Sequence, residues 1–147
     1  MRWWFVDRIE EFEPWTFMRG RKAISLEEYC LLEPFGRKGV FPETLVLESC
    51  NHLGRWLVMR SSDFEMTCLL SEVRDFAFAN ECGMEHTLEM ILRVQKKEEG
   101  SIEAECEATE GGRVICRGVL ILGFMSLGKL VDPETMKAMW QELYVKA

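Results

Sequence analysis

The chain has 147 residues, with 25 acidic and 18 basic side chains and a formal net charge of -7. This length is most economically one domain, residues 1–147, able to bury ~70% of the surface of the unfolded chain. The acidic balance argues against nucleic acid or an anionic membrane as the main partner, because binding to phosphates needs clustered Lys and Arg. No apolar run approaches the ~20 residues of a membrane span, and charges near the N-terminus argue against a signal peptide. We therefore expect a cytoplasmic protein.

The six cysteines indicate neither a disulfide framework nor a zinc site. They stand at positions 30, 50, 68, 82, 106 and 116, with no CxxC spacing, and Cys50, Cys106 and Cys116 lie within apolar patterns. Reduced thiols in the core are therefore expected. The chain also has no Gly-rich phosphate loop, nucleophile elbow or metal-spaced cluster, so we expect no metal and no cofactor.

The N-terminal segment predicts a strand and a loop. Residues 3–12 are aromatic and apolar, and the element that they form should end at Pro14. Residues 21–26 (RKAISL) form a plausible short strand, and residues 33–39 (EPFGRKG) have the proline and glycines of a loop.

A long buried helix is predicted from residue 43 to about residue 59. Pro42 suits the first helical position, and Glu43 in the first turn favours the helix dipole. Apolar residues occur on nearly every face of this segment, which is typical of a helix that is wrapped by other elements.

An antiparallel sheet is predicted after the helix. Its segments alternate between apolar and polar residues and are separated by short turns with Gly, a pattern typical of a meander with one solvated face. The predicted strands are 67–73 and 75–79 around a possible bulge, 88–94, 102–108 and 113–124. A final amphipathic helix, about residues 133–144, is capped by Asp132. The order of elements indicates an α+β fold in which the sheet curls around the long helix.

Glu48 and His52 are the candidate chemical groups on this helix. A spacing of four residues places both on one helix face, within reach of each other. They could form a general acid/base pair at the end of an apolar pocket, or a structural hydrogen-bonded couple, which the pattern alone favours. His86 falls in a probable turn and is expected at the surface.

Three segments resemble the 3-hydroxyacyl-acyl-carrier-protein dehydratases of the hotdog fold. They are residues 5–14 (FVDRIEEFEP), 22–24 (KAI) and 42–49 (PETLVLES), and the resemblance covers about residues 3 to 125. It places Glu48 on the catalytic glutamate of the family and His52 on a glutamine. Pro34 stands where the family has its catalytic histidine, and Glu43 replaces the glycine whose N–H polarises the thioester carbonyl.

The resemblance implies a hotdog fold with an antiparallel sheet around one long central helix. It also implies dehydration of 3-hydroxyacyl thioesters, as in fatty acid biosynthesis, with Glu48 as acid and His52 as the imidazole. Without the family histidine, two alternatives stay open: a non-catalytic subunit that binds an acyl thioester or a dehydratase partner, and a hotdog thioesterase.

The resemblance further implies an acyl tunnel and a homodimer or higher homo-oligomer. The carrier is acyl carrier protein or coenzyme A, and the candidate phosphate contacts are Arg19, Arg21, Lys22, Arg37 and Lys38. The expected substrate-binding residues are Phe41, Glu43, Thr44, Trp56, Phe76 and Phe78, with Met59 as a further lining residue.

Overall fold

The computed structural model describes residues 5–25, 39–83 and 86–144. In these ranges the chain forms eight strands, two α-helices and one short 3-10 helix. The elements in chain order are β1 (Arg8–Glu13), β2 (Phe17–Ala23), β3 (Val40–Phe41), α1 (Glu43–Ser61), β4 (Met66–Phe78), β5 (Cys82–Gly83), β6 (Thr87–Lys97), β7 (Ser101–Glu110), β8 (Arg113–Ser126), the 3-10 helix (Leu127–Lys129) and α2 (Pro133–Leu143).

Six strands form one antiparallel sheet in the order β1-β2-β6-β7-β8-β4. Gly111 and Gly112 both have positive φ, 58° and 81°, as a two-residue turn between β7 and β8 requires. Alternate side chains of β6, β7 and β8 are fully buried on one face, while Glu105 and Arg117 of the other face are exposed. The predicted meander with one solvated face is therefore confirmed.

Helix α1 lies against the buried face of the sheet. Its Cys50, Leu53 and Leu57 are completely buried, because the sheet curls around the helix. Gly54 lets the helix approach closely, since a Cβ at this position would come within 2.5 Å of the Leu122 side chain. The predicted wrapped helix is confirmed, and it ends two residues later than expected, at Ser61.

Two strand predictions need correction. The strand predicted at residues 21–26 begins earlier, at Phe17, because it pairs along its length with both β1 and β6. The two strands predicted at 67–73 and 75–79 form the single strand β4, whose pairing with β8 continues through a bulge. Asp75, with φ of 50°, lies within that bulge. Most of the loop predicted at 33–39 lies outside the described residues.

The C-terminal helix α2 packs on α1 and β1. The Asp132 carboxylate accepts hydrogen bonds from Glu134 N, at 3.3 Å, and from Thr135 Oγ1, at 3.1 Å, as predicted for an N-cap. Trp140 is buried, and the centroid of its ring lies 5.5 Å from that of Phe12 and 6.2 Å from that of Trp56. These ring contacts fix α2 beside the central helix.

The five cysteines in the described ranges are free and buried, which confirms the prediction of core thiols for them; Cys30 lies outside those ranges. No helix in the described part of the chain is long and apolar enough to cross a membrane.

Candidate functional site

Glu48 and His52 meet on the partly exposed face of α1. His52 Nε2 lies 2.9 Å from Glu48 Oε1, and Asn51 Nδ2 lies 3.5 Å from the same oxygen. The Glu48 side chain is 37% exposed and the His52 side chain is 28% exposed, so a substrate could reach both. The Phe5 ring packs on the imidazole of His52, with ring centroids 4.7 Å apart.

The pKa of His52 lies below its ordinary value of 6.5. Burial is the largest cause, the positive charge of Arg55 adds to it, and the charge and hydrogen bond of Glu48 act in the opposite direction. The imidazole is therefore neutral at physiological pH. Because Glu48 accepts a hydrogen bond from Nε2, the neutral imidazole carries its proton there and keeps Nδ1 as an acceptor.

An apolar groove of about 500 Å³ begins at His52 and runs along α1. Its floor is formed by His52, Arg55, Trp56 and Met59, which lie on one helix face by their spacing. One wall is the start of β4, residues 67–69. The volume lies within the range of small-molecule sites in proteins.

The opposite wall of the groove comes from the C-terminal segment. Leu127, Leu130 and Val131 line it before α2, and Met136 and Met139 line it from α2 itself. The side chains of Leu130 and Val131 are 54% and 42% exposed, so the rim of the groove presents apolar surface to solvent. The groove suits a hydrocarbon chain, since most of its lining is aliphatic or aromatic.

Cys68 lines the groove but is a poor nucleophile. Burial raises its pKa to about 12, and the charge of Arg55 opposes this only in part. The thiolate, which is the reactive form, is therefore scarce at physiological pH.

The structure places the sequence-predicted site residues in different environments. Glu48 lies beside the groove and is joined to it through His52, while Trp56 and Met59 line it. Phe41 is buried in the core, and Glu43 and Thr44 are exposed at the start of α1. Phe76 and Phe78 pack on each other on β4, with centroids 5.5 Å apart, outside the groove. The role of these five residues in substrate binding stays a prediction.

The predicted phosphate contacts are largely engaged in other interactions. Arg19 and Arg21 lie 3.5 and 3.3 Å from the carboxylate of Glu10. Lys22 is buried, with its Nζ 6.0 Å from the centre of the Phe41 ring. Arg37 and Lys38 lie outside the described residues. The geometry therefore gives little support to a phosphate site at these side chains.

Two features of this site were not predicted from the sequence. Arg55 lies three residues after His52, a spacing that places it on the same helix face, but the pattern did not single it out as a site residue. The wall from Leu127 to Met139 was also missed, because it lies beyond the segment that resembles the dehydratases. Amphipathicity predicted helix α2 and gave no indication of what it covers.

A distant curated relative of the chain is a dehydratase. It is the 3-hydroxyacyl-[acyl-carrier-protein] dehydratase FabZ of Levilactobacillus brevis, 23% identical over 113 residues, which are 76% of each chain. No protein-family model matches the chain.

Two solved structures are similar to this chain in fold, although their sequences differ from it at most positions. A hypothetical thioesterase from Streptococcus pneumoniae, solved with coenzyme A, superposes with a TM-score of 0.65 at 10% identity, covering 82% of this chain and 86% of its own. A hot-dog-like protein from Thermanaerovibrio acidaminovorans superposes with a TM-score of 0.65 at 12% identity, covering 88% and 92%. At such identities the likeness concerns the fold, and with the central helix and antiparallel sheet it shows that this chain has the hotdog fold predicted from its sequence.

Proposed function

We propose that this protein hydrolyses acyl thioesters, using the Glu48–His52 pair to activate water. The observation that carries the proposal is the 2.9 Å contact between Glu48 Oε1 and His52 Nε2 at the end of an apolar groove. When a carboxylate binds one nitrogen of a neutral imidazole, the second ring nitrogen is free to act as a general base.

The reaction would proceed by attack of water on the thioester carbonyl. His52 Nδ1 takes a proton from the water as its oxygen bonds to the carbonyl carbon. The C–S bond then breaks, and the leaving sulfur receives that proton from His52. The products are a carboxylic acid and a thiol, and the site returns to its starting protonation state. Glu48 stabilises the imidazolium that forms between the two steps.

The groove supports an acyl substrate. A thioester whose carbonyl lies beside His52 can extend its chain over Trp56 and Met59 and against Met136 and Met139. The names of the similar proteins are compatible with this substrate class, since they include a dehydratase of acyl carrier protein thioesters and a hypothetical thioesterase with coenzyme A. Coenzyme A and acyl carrier protein are the two proposed carriers.

Dehydration of 3-hydroxyacyl thioesters is the second candidate. The 23% identical dehydratase favours it, as does the resemblance that places Glu48 on the catalytic glutamate of that family. This reaction needs a base that acts at one carbon of the substrate and a separate acid that acts at the neighbouring carbon. Glu48 and His52 are hydrogen-bonded to each other and form a single base, which is why hydrolysis fits the geometry better.

The test is to incubate the pure protein with acyl, 3-hydroxyacyl and enoyl thioesters of coenzyme A and of acyl carrier protein. Thiol release and enoyl absorbance are followed together. We expect thiol release, and we expect Glu48→Gln and His52→Ala each to slow it by ~10²-fold or more, a typical contribution of a general base. His86→Ala and Glu89→Gln are matched controls, because both side chains are exposed and lie outside the groove.

The outcomes separate the candidates. Interconversion of 3-hydroxyacyl and enoyl thioesters without thiol release would establish dehydration instead. Tight binding of thioesters with no turnover would establish a non-catalytic subunit. Thiol release that survives both substitutions would show that another group performs the chemistry.

A further inference from the structure

Arg55 is a positive charge on the floor of an apolar groove. The residue is half-buried, and its Nε is fully buried with no hydrogen-bond partner in the described part of the chain. Exposed arginines of the sheet behave differently: Arg74 pairs with Glu72, and Arg117 pairs with Glu107. Arg55 lines the groove and, within the described ranges, has no ion pair of the kind that these surface arginines have.

A guanidinium beside apolar surface favours an anionic partner, because hydrogen bonds between a guanidinium and a carboxylate are charge-assisted. The remaining lining is mostly hydrocarbon, from Trp56 and Met59 on α1 and from Met136 and Met139 on α2. The polar and apolar parts together match an amphiphile with one anionic head and an apolar chain. A neutral hydrocarbon would form no ion pair with the guanidinium, and an ion without a chain would leave the apolar walls uncovered.

We propose that the groove retains the free carboxylic acid formed by thioester hydrolysis, with the carboxylate on Arg55 and the chain between α1 and α2. This inference rests on the proposed function, because hydrolysis replaces the uncharged thioester group with a carboxylic acid beside His52, which loses its proton to solvent and becomes a carboxylate at neutral pH. Side chains three residues apart on a helix are neighbours, so the new carboxylate lies within reach of the Arg55 guanidinium. A bidentate pair between a guanidinium and a carboxylate is well suited to this contact.

The chain of the acid extends from His52 towards Leu127. The helix between His52 and Met59 rises ~10 Å over seven residues, and the groove follows it over this length. Acids with a medium or long chain therefore fill the groove, whereas acetate contacts only its polar end. Such an acid is a competitive inhibitor of hydrolysis, because it occupies the position of the acyl group.

The test compares decanoate with decanamide, which has the same chain and a neutral head. Binding of each to the full-length protein is measured by calorimetry, without any thioester. We expect decanoate to bind at least tenfold more tightly than decanamide. Arg55→Gln should weaken decanoate binding by roughly tenfold to hundredfold, the scale of a hydrogen bond to a charged group, and leave decanamide binding within about twofold.

Two further variants sharpen the comparison. Arg55→Lys keeps the charge without the planar fork, so part of the preference for decanoate should return. Arg117→Gln is the matched control, because Arg117 is exposed on the solvent face of the sheet and pairs with Glu107, outside the groove. It should leave both affinities unchanged.

Equal affinities for decanoate and decanamide, or an Arg55→Gln variant that binds decanoate normally, would overturn the proposal. Loss of self-association in Arg55→Gln with an unchanged preference for decanoate would assign Arg55 to contact with a second copy of the chain, and would also overturn it. Because binding is measured without turnover, decanoate held by Arg55 in a protein that hydrolyses no thioester would reject the proposed function alone.

Discussion

Arg55 and Glu48 act on His52 in opposite directions, so single substitutions should move its titration in opposite directions. Arg55 lowers the pKa of His52, and Glu48 raises it. If neutral His52 is the base, kcat/KM of hydrolysis should rise with pH through a midpoint below 6.5 and then stay level.

The direction of each change follows from the sign of the removed interaction. Arg55→Gln removes a repulsion of imidazolium, so the pKa of His52 and the midpoint should increase. Glu48→Gln removes a stabilising charge, so the pKa and the midpoint should decrease. The midpoints are read from pH profiles of each variant, and NMR titration of the imidazole gives an independent value. A midpoint that both substitutions move in the same direction would exclude His52 as the titrating base.

At the scale of elements, the contact between β4 and β8 depends on Gly118. A Cβ on this residue would come within 2.7 Å of the Phe76 Cα, which is backbone and cannot rotate away. We therefore expect Gly118→Ala to lower the free energy of unfolding by about 1–3 kcal/mol, the usual cost of overpacking.

Urea denaturation measures this change, and Gly100→Ala is the matched control. A Cβ on Gly100, which lies in a turn, would meet no atom of the described residues within 4 Å. Its replacement should therefore change the free energy of unfolding by less than about 0.5 kcal/mol. Equal effects of the two substitutions would show that β4 adapts to the added methyl group.

The N-cap of α2 should keep this helix ordered, and with it the wall of the groove that lies opposite β4. Asp132→Ala removes two acceptor contacts at the start of the helix, at a cost of about 1 kcal/mol. Because Met136 and Met139 line the groove, weakening α2 should reduce affinity for acyl ligands and speed amide hydrogen exchange around Trp140.

Asp132→Asn is the control for the cap, since Asn is about as good an N-cap as Asp. It should retain both the affinity and the exchange protection. If Asn and Ala at this position behave alike, the cap does not determine the order of α2.

At the scale of the whole molecule, β4 is the edge of the sheet best suited to self-association. It carries two exposed apolar side chains, Leu69 at 50% and Val73 at 39% exposure, beside the backbone groups of the sheet's outer edge. The opposite edge, β1, is charged and is bridged to the C-terminal segment between Ile9 and Tyr144.

We expect a homodimer of about twice the 17.2 kDa chain mass, joined through β4. Val73→Lys should shift sedimentation towards the monomer, because a charge at a pairing edge opposes association. Glu13→Lys on the other edge changes charge in the same direction and should leave the dimer intact. A wild-type chain that sediments as a monomer at micromolar concentration would contradict this expectation.

The sequence alone determined the elements whose signals are local. The all-round apolar pattern from Leu45 to Val58 identified the wrapped helix, the glycines at 111 and 112 identified the turn between β7 and β8, and Asp132 identified the start of α2. Each signal arises within a few residues, where side-chain spacing and backbone geometry leave few choices. The resemblance to the dehydratases added the hotdog fold, which the structure confirmed. The spacing of Glu48 and His52 also predicted their contact, because one helical turn separates them.

Only the tertiary structure decided where the groove lies and what lines it. The pairing of β4 with β8 and the return of α2 to α1 depend on contacts between residues far apart in the chain, which periodicity does not encode. Apolar character alone pointed to Phe76 and Phe78 as substrate-binding residues. The structure adds that their rings pack on each other on β4, and their role in binding stays a prediction. Arg55 was not predicted as a site residue, because the local pattern does not show that this side chain lines a groove formed with β4 and α2. The chemical pair was fixed by local helix geometry, and its apolar surroundings by the long-range packing of β4 and α2.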